Sequence, residues 1–170
     1  MDDPAIRVLQ LRDIPGIVAA FTALGWHKPA TQYERYLAEQ ERGERVALVA
    51  LVDGTFAGYL TIVWRSGYQP FRTAGIPEIV DFNVLPERRR RGIGTCLLDE
   101  AERRIAERSA VAGIGVGMNG DYGAAQRLYP KRGYLPDGRG LVSHGRPVIH
   151  GQTVTVDDAL VLYFTKKLRS

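Results

Sequence analysis

The feature that most constrains the fold is a pair of apolar segments separated by a two-residue break. Residues 45–52 and 56–64 are both apolar for most of their length, and Asp53-Gly54 lies between them. An Asp-Gly pair between two such segments is typical of a tight β-hairpin turn, because its central positions favour a positive φ. The sequence therefore predicts two adjacent antiparallel strands.

The other periodic segments alternate between strand and helix patterns. Apolar residues recur every four positions at Ile93, Leu97, Ala101 and Ile105, which predicts a helix over residues 91–108. The predicted strands are residues 5–11, 45–52, 56–64, 76–85, 111–118, an edge strand from 134–135, and 160–164; the other predicted helices are residues 13–25, 31–43 and 121–133, and residues 66–75 are a predicted loop. The resulting order, β-α-α-β-β-β-α-β-α-β-β, is an α+β fold with helices flanking one mixed sheet.

Length and composition narrow the class of protein. A chain of 170 residues fits a single domain over residues 1–170, and a hydrophobic fraction of 45% excludes disorder as its main state. The single cysteine, Cys96, cannot form an intramolecular disulfide, and residues 1–10 do not resemble a signal peptide, so we expect a cytoplasmic protein. Three scattered histidines argue against a metal site, and no apolar run is long enough for a membrane span.

The most informative segment is residues 84–94, where a predicted strand turns into a helix. It contains four consecutive arginines, Arg88 to Arg91, which equal the net charge of +4. Gly92 and Gly94 let the backbone approach a ligand, and the first N–H groups of a helix attract anions. Because arginines normally oppose that end of the helix dipole, we expect a polyphosphate to be shared between them and the helix.

Two segments carry a resemblance to a known family. The pattern Arg89-x-x-Gly92-x-Gly94 resembles the acetyl-CoA pyrophosphate loop of the GNAT N-acetyltransferases, written Q/R-x-x-G-x-G/A. Further along, residues 125–134, AQRLYPKRGY, are similar to that family's A-x-x-L-Y-x-x-x-G-F segment. A dinucleotide-binding loop fits less well, because Leu97 lies where that loop needs a small residue. The order of the two segments and of the predicted elements extends the resemblance over nearly the whole chain.

The resemblance implies acetyl-CoA as co-substrate, with no metal. The implied cofactor-binding residues are Phe82, Asn83, Val84, Arg88, Arg89, Arg90, Arg91, Gly92, Ile93, Gly94, Thr95, Asn119, Tyr122 and Ala125. Tyr122 replaces an asparagine with which many members bind the pantetheine arm, and Asn119 is the nearest substitute.

Two residues are candidates for the chemistry. Glu78 matches the general base of the histone-acetylating branch, and its place on an apolar strand should raise its pKa; the alternative is a carboxylate paired with Arg72. Asp81 is a second carboxylate candidate, although strand alternation directs it away from Glu78 unless a bulge intervenes. Tyr129 matches a tyrosine that protonates the leaving thiolate, and the alternative is a core aromatic residue.

The resemblance implies transfer of an acetyl group to a primary amine of a small molecule or peptide, by direct attack in a ternary complex. Transfer of a longer acyl group and a non-catalytic acyl-CoA-binding module remain alternatives. Nucleic acid is not an expected partner, because the arginines lack interleaved aromatic residues. A homodimer is implied by the family alone. The aromatic residues that could form an acceptor pocket or a core are Trp26, Tyr33, Trp64, Tyr68 and Phe71.

Overall fold

The computed structural model describes residues 3–168. It contains eight strands and five α-helices: β1 (Ala5–Val8), α1 (Ile14–Ala23), α2 (Ala30–Glu41), β2 (Arg45–Val52), β3 (Thr55–Val63), α3 (Gln69–Ala74), β4 (Glu78–Val84), α4 (Ile93–Ala106), β5 (Val111–Gly117), α5 (Gly123–Lys131), β6 (Leu135–Ser143), β7 (Arg146–Pro147) and β8 (Leu160–Lys167). The residues form two compact units. The first unit comprises the chain up to Trp64 with Ile79–Arg104, and the second comprises Arg65–Glu78 with the chain from Ile105 onwards.

The strands of the first unit follow the order β1-β2-β3-β4. Antiparallel pairing of β2 with β3 confirms the predicted hairpin, with Val52 opposite Thr55. Asp53 and Gly54 both have positive φ values, 50° and 73°. Both central residues of the turn therefore adopt the left-handed conformation that an Asp-Gly pair tolerates.

Helices α1 and α2 pack their apolar faces into one core cluster with strands of the first unit. Ile17 and Phe21 of α1 are fully buried, and so is Tyr33 of α2. The Tyr59 ring on β3 meets the rings of Phe21 and Tyr33 edge-on, at centroid distances of 5.9 and 5.5 Å. Edge-to-face pairs of this kind stabilise a core beyond the area that they bury. Tyr33 is therefore a core residue.

The helix predicted over residues 91–108 forms as α4, which begins slightly later, at Ile93, and ends slightly earlier, at Ala106. The four apolar residues that recur along it, Ile93, Leu97, Ala101 and Ile105, are each at most 2% exposed. Their spacing therefore gave the buried stripe of the helix correctly.

The strands of the second unit follow the order β5-β8-β6-β7, and all its strand pairs are antiparallel. Strand β5 carries three alternating glycines. A Cβ at Gly113 would lie 2.3 Å from the Phe71 ring, and one at Gly117 would lie 2.4 Å from the Tyr122 ring. A Cβ at Gly115 would lie 2.8 Å from Val161. The chain's own side chains therefore fill the space beside this strand.

Three predictions about the elements need correction. Residues 66–75 contain helix α3, which a proline in its first turn starts and Gly75, in the left-handed conformation, ends. The helix is six residues long, so it is too short to produce a recognisable apolar period. Strand β6 pairs with both β8 and β7, so it is not an edge strand, and the short β7 adds a strand to the predicted order. The α+β class itself is confirmed.

Within residues 3–168, no helix has both the length and the apolar character needed to cross a membrane. The same residues contain no group of three or more His, Cys, Asp or Glu side chains placed to hold a metal ion.

Candidate active site

Strand β4 carries both carboxylate candidates, and its backbone is irregular at the second one. Asp81 has a φ of 54°, in the left-handed region that residues other than glycine rarely adopt. Such a residue interrupts the alternation of side chains along a strand. The interruption that the sequence analysis left open therefore exists, and alternation does not determine where the two carboxylates point.

Asp81 lies in a polar network of the first unit. Five side chains donate hydrogen bonds to its carboxylate: Tyr59 at 2.6 Å, Tyr36 at 2.7 Å, Gln32 at 2.9 Å, Asn83 at 2.9 Å and Lys28 at 3.1 Å. The Lys28 ammonium also lies 5.5 Å from the centre of the Phe21 ring and 5.6 Å from that of Tyr59. A carboxylate offers about four acceptor sites. The network therefore leaves Asp81 no free site for a substrate.

The same contacts stabilise the negative charge of Asp81. Burial raises the pKa of Asp81, but the positive charge of Lys28 and the hydrogen bonds from Tyr59 and Tyr36 outweigh it and lower the pKa overall. A carboxylate with a lowered pKa and filled acceptor sites is a poor proton acceptor near neutral pH. These contacts argue against Asp81 as a base and favour a structural role.

Glu78 has the opposite environment in the second unit. Its side chain is buried, with 7% of the residue exposed, and it accepts one hydrogen bond, from Ser66 Oγ to Oε2 at 2.5 Å. Burial raises the pKa of Glu78, and the bond from Ser66 opposes this only in part. Arg72, the alternative partner, instead donates to the main-chain carbonyls of Ser66 and Gly67. Glu78 therefore resembles a base whose pKa is shifted towards neutral pH.

Tyr129 lies in α5 of the second unit and is 4% exposed. Its ring packs against Tyr134 at a centroid distance of 6.0 Å. Among residues 3–168, none forms a hydrogen bond with its hydroxyl, and burial raises its pKa, so the hydroxyl keeps its proton at neutral pH. Every fully buried side-chain nitrogen or oxygen among these residues has a partner, so the hydroxyl of Tyr129 is not fully enclosed. Tyr129 thus retains a proton that it can donate to a bound molecule.

The segment from Arg88 to the first turn of α4 lies in the first unit. Arg90 and Gly92 have left-handed φ values of 59° and 77°. Left-handed residues are a component of the backbone turns whose N–H groups bind anions. The first amides of α4 precede the bond from Cys96 N to Gly92 O at 3.0 Å, so they lack intrahelical acceptors.

The arginines of this segment differ in their contacts. Arg89, Arg90 and Arg91 are exposed, whereas Arg88 is half-buried. Arg89 Nε donates to the carbonyl of Val84 at 3.1 Å, which ties its side chain to the end of β4. The remaining guanidinium groups add positive charge beside the unpaired amides. These features suit a polyphosphate, and the assignment of the segment to phosphate binding stays a prediction.

The two glycines of the loop, Gly92 and Gly94, are required for different structural reasons. A Cβ at Gly92 would meet no atom within 4 Å, so this position needs glycine for its φ alone. A Cβ at Gly94 would lie 3.1 Å from the Phe82 ring. Packing against Phe82 is therefore one reason for glycine at Gly94, and the expectation that both glycines let a ligand approach the backbone stays a prediction.

Three predicted cofactor contacts lie near the start of α5. Asn119 Oδ1 accepts the N–H of Asp121 at 2.9 Å, so Asn119 caps the turn before the helix. Tyr122 covers Gly117 with its ring and donates its hydroxyl to Asp158 at 2.9 Å. Ala125 lies in the first turn of α5 and is half-buried. The side-chain oxygens of Asn119 and Tyr122 are thus engaged with the chain itself.

Sequence reasoning missed two polar residues that act on this region. Ser66 binds Glu78, and Gln126 Nε2 donates to the carbonyls of Gly117 and Asn119 at 2.9 and 3.2 Å. Ser66 lies in a segment whose pattern predicts only a loop, and Gln126 lies in a segment whose pattern predicts only a helix. Their partners lie at least seven positions away in sequence, so no local signal identifies them.

Solved structures share this fold. A ribosomal-protein-alanine N-acetyltransferase from Brucella melitensis is 21% identical with a TM-score of 0.71, over 96% of this chain and 99% of that one. An N-acetyltransferase from Staphylococcus aureus Mu50 is 15% identical with a TM-score of 0.71, over 99% and 100%. The PaiA N-acetyltransferase from Thermoplasma acidophilum, in complex with coenzyme A, is 15% identical with a TM-score of 0.65, over 98% and 99%.

No curated protein matches the chain by sequence. The family model of the GNAT acetyltransferases, in contrast, matches residues 15–134, which include both motif segments. This match covers well over half of the chain and agrees with the fold of the solved structures. The protein therefore belongs to the GNAT acetyltransferase family and is an acetyltransferase.

Proposed function

We propose that this acetyltransferase moves the acetyl group of acetyl-CoA to a primary amine by direct attack in a ternary complex. The observation that carries the proposal is the environment of Glu78. It is a buried carboxylate with a raised pKa, and one of its oxygens accepts a hydrogen bond from Ser66 while the other has no partner among residues 3–168. A group of this kind can accept a proton from an ammonium near neutral pH.

The phosphates of acetyl-CoA bind the segment from Arg88 to Thr95. Unpaired amides at the start of α4, the left-handed turns at Arg90 and Gly92, and the exposed guanidinium groups support this assignment. A backbone amide near Val84, other than that of Leu85, which donates to the carbonyl of Ala57 at 2.9 Å, polarises the thioester carbonyl and stabilises the negative charge that develops on its oxygen. The segment therefore binds the co-substrate, and the end of β4 orients its reactive carbonyl.

The transfer needs three proton movements. Glu78 takes a proton from the acceptor ammonium, and the free amine then attacks the thioester carbon. A C–N bond forms, the C–S bond breaks, and the thiolate of CoA takes the proton of the Tyr129 hydroxyl. The new amide nitrogen then loses its extra proton, which restores the Tyr129 hydroxyl, and Glu78 releases its own proton to water. The Tyr129 hydroxyl has no hydrogen-bond partner among residues 3–168 and stays protonated because its pKa is raised, which supports the second step.

The Glu78→Gln variant tests the proposal. Glutamine keeps the shape of the side chain and accepts the bond from Ser66 but cannot take a proton, so kcat should fall by roughly 10² to 10⁴ at pH 7. The measurement is release of CoA thiol from acetyl-CoA with a panel of primary amines. The deficit should shrink at high pH, because the amine is then deprotonated in solution.

Glu34→Gln serves as the matched control, since Glu34 is an exposed glutamate on α2 and should be dispensable. Both variants should bind acetyl-CoA as the wild type does. If Glu78→Gln retains full activity at pH 7, Glu78 is not the base.

Several broader assignments belong to the same proposal. The acceptor is a small-molecule or peptide amine, and residues 1–170 act as one N-acetyltransferase domain. The single Cys96, which is only partly exposed, suits a reducing cytoplasm. A homodimer is a further prediction of the family resemblance, and sedimentation of the full chain tests it.

A further inference from the structure

Ser66 is buried although its neighbours in the chain are exposed. It lies in the connection between β3 and α3, where Arg65 and Gly67 on either side are exposed. Ser66 itself is only 1% exposed. Burying a hydroxyl is unfavourable unless it is hydrogen-bonded, so a buried serine in a surface connection points to a specific partner.

The two hydrogen bonds of Ser66 define the direction of its proton. Its Oγ accepts the N–H of Tyr68 at 2.9 Å and lies 2.5 Å from Oε2 of Glu78. A serine hydroxyl has a single hydrogen, and a main-chain N–H can only donate. The hydrogen of Ser66 is therefore free to point at the carboxylate, and the Tyr68 amide holds the hydroxyl in that orientation.

The second oxygen of Glu78 is arranged differently. Among residues 3–168, Ser66 is the only hydrogen-bond partner of this carboxylate, so Oε1 has none. Every fully buried side-chain nitrogen or oxygen in this part of the chain has a partner. Because Oε1 lacks one, it cannot be fully enclosed and remains open to a bound molecule.

We propose that Ser66 is a positioning residue for acetyl transfer: its hydroxyl binds Oε2 of Glu78 and leaves Oε1 as the oxygen that accepts the proton of the amine. This inference rests on the proposed role of Glu78 as the base. Ser66 does not touch the reacting atoms. It restricts the carboxylate to one orientation and stabilises its charged form, as a hydrogen bond to an ionised group does.

The other groups around Glu78 do not duplicate this contact. Burial and the charges of Glu78 and Asp137 raise the pKa of Tyr163 to about 12, so its phenol is neutral at the pH of an assay. The Tyr68 hydroxyl donates to Asp137 at 2.8 Å, and burial and that bond raise its pKa as well.

Arg72 and Arg139 are positive charges of this region, and Arg139 acts on Tyr68. Arg72 Nη1 donates to the main-chain carbonyls of Ser66 and Gly67, both at 3.3 Å. It therefore supports the connection that carries Ser66, and the carboxylate depends on the serine hydroxyl for its stabilisation.

The test compares Ser66→Ala and Ser66→Thr in wild-type and Glu78→Gln backgrounds. The activity probes are a peptide with an N-terminal alanine, free lysine and a linear diamine, with release of CoA thiol as the signal. Loss of the hydroxyl removes a bond that favours the ionised carboxylate, so the pKa of Glu78 should rise. The acidic limb of the kcat/KM profile should then move up by about one pH unit, with about a tenfold loss of activity below it.

Ser66→Thr keeps the hydroxyl, so it should leave the acidic limb in place. In the Glu78→Gln background, Ser66→Ala should cause no further loss, because a residue that acts through Glu78 has nothing left to orient. A loss that is the same at every pH, or the same factor in both backgrounds, would overturn the proposal and leave Ser66 as a structural residue of the loop.

A second measurement does not depend on activity. A ¹³C NMR titration of carboxyl-labelled glutamate, assigned with Glu78→Gln, should give a higher pKa for Glu78 in Ser66→Ala than in the wild type. An unchanged pKa overturns the Ser66 inference even if the variant is unstable in the assay. Full activity of Glu78→Gln, in contrast, overturns the proposed base and the Ser66 role together, so the two failures are distinguishable.

Discussion

At the scale of single residues, unused hydrogen-bonding capacity distinguishes Glu78 and Tyr129, to which the proposal assigns the chemistry, from Asp81. Asp81 and Glu78 lie on the same strand, yet Asp81 accepts five hydrogen bonds and Glu78 accepts one. The Tyr129 hydroxyl forms none within residues 3–168. Buried polar groups usually find partners within the fold. The groups that do not are the ones best able to exchange protons with a substrate.

The Tyr129→Phe variant should separate chemistry from stability. Removing a general acid should lower kcat by roughly 10² or more, and raising the pH should not restore it, because the missing proton belongs to the leaving thiolate. The free energy of unfolding should stay constant or rise, because the hydroxyl has no partner to lose. Activity assays and urea unfolding test this together. A stability loss without a kinetic effect would identify Tyr129 as a core residue only.

The Asp81→Asn variant should behave in the opposite way. It removes the negative charge that holds the partly buried Lys28, so the free energy of unfolding at pH 7 should fall by about 3 kcal/mol. The pKa of Asp81 is lowered in the fold, so its contribution is present above the unfolded pKa of about 4 and disappears as the pH falls through the lower folded value. Wild type and variant should therefore converge in stability in strong acid.

Urea unfolding from pH 7 down into strong acid measures this convergence. Glu34→Gln, which changes an exposed carboxylate, should follow the wild type at every pH. An Asp81→Asn variant as stable as the wild type at pH 7 would contradict the structural role of the network.

At the scale of elements, the junction between β4 and α4 combines a phosphate loop with close internal packing. Gly92 satisfies a backbone conformation, and Gly94 makes room for Phe82. The family pattern allows alanine only at the second of the two positions, and the structural reasons for glycine at Gly92 and Gly94 in this chain differ as well. A second substitution that compensates for the loss at one position should therefore not compensate at the other.

Gly92→Ala and Gly94→Ala form a matched pair at this junction. Each should lower the free energy of unfolding by about 1 kcal/mol, the first through its left-handed φ and the second through crowding of the Phe82 ring. Phe82→Leu should relieve part of the loss in Gly94→Ala and none in Gly92→Ala. A double-mutant cycle by chemical unfolding measures the coupling. Equal behaviour of both pairs would contradict the packing argument.

At the scale of the whole molecule, the net charge of +4 equals the number of arginines in the loop from Arg88 to Arg91. These four arginines lie in the segment that the proposal assigns to the phosphates of acetyl-CoA. A ligand that binds only the folded state raises stability in proportion to its occupancy. Thermal unfolding consequently reports on this assignment directly.

Acetyl-CoA at 100 times its Kd should stabilise the protein by about 2.7 kcal/mol. For a chain of this size that corresponds to a rise in Tm of roughly 5 to 10 °C. The shift should shrink as NaCl is added, because the arginines are exposed and salt screens them. Acetyl-pantetheine, which lacks the nucleotide phosphates, should give a much smaller shift. No shift with millimolar acetyl-CoA would contradict the assignment.

Local sequence patterns determined a large part of the fold of this protein. The Asp53-Gly54 turn, the buried stripe of α4 and the loop from Arg88 to Gly94 were all readable from residues a few positions apart, since turn conformation and helix periodicity depend on near neighbours. The same patterns identified the family and the α+β class. They failed for α3, because six residues give too short a period.

Only the tertiary structure decided which polar residues are saturated. Four of the five donors to Asp81 come from 22 to 53 positions away, and Ser66 reaches Glu78 across 12 positions. The space beside the glycines of β5 is filled by side chains of the chain itself. Hydrogen-bond saturation and burial depend on residues that folding brings together from distant segments, and no local period carries that information.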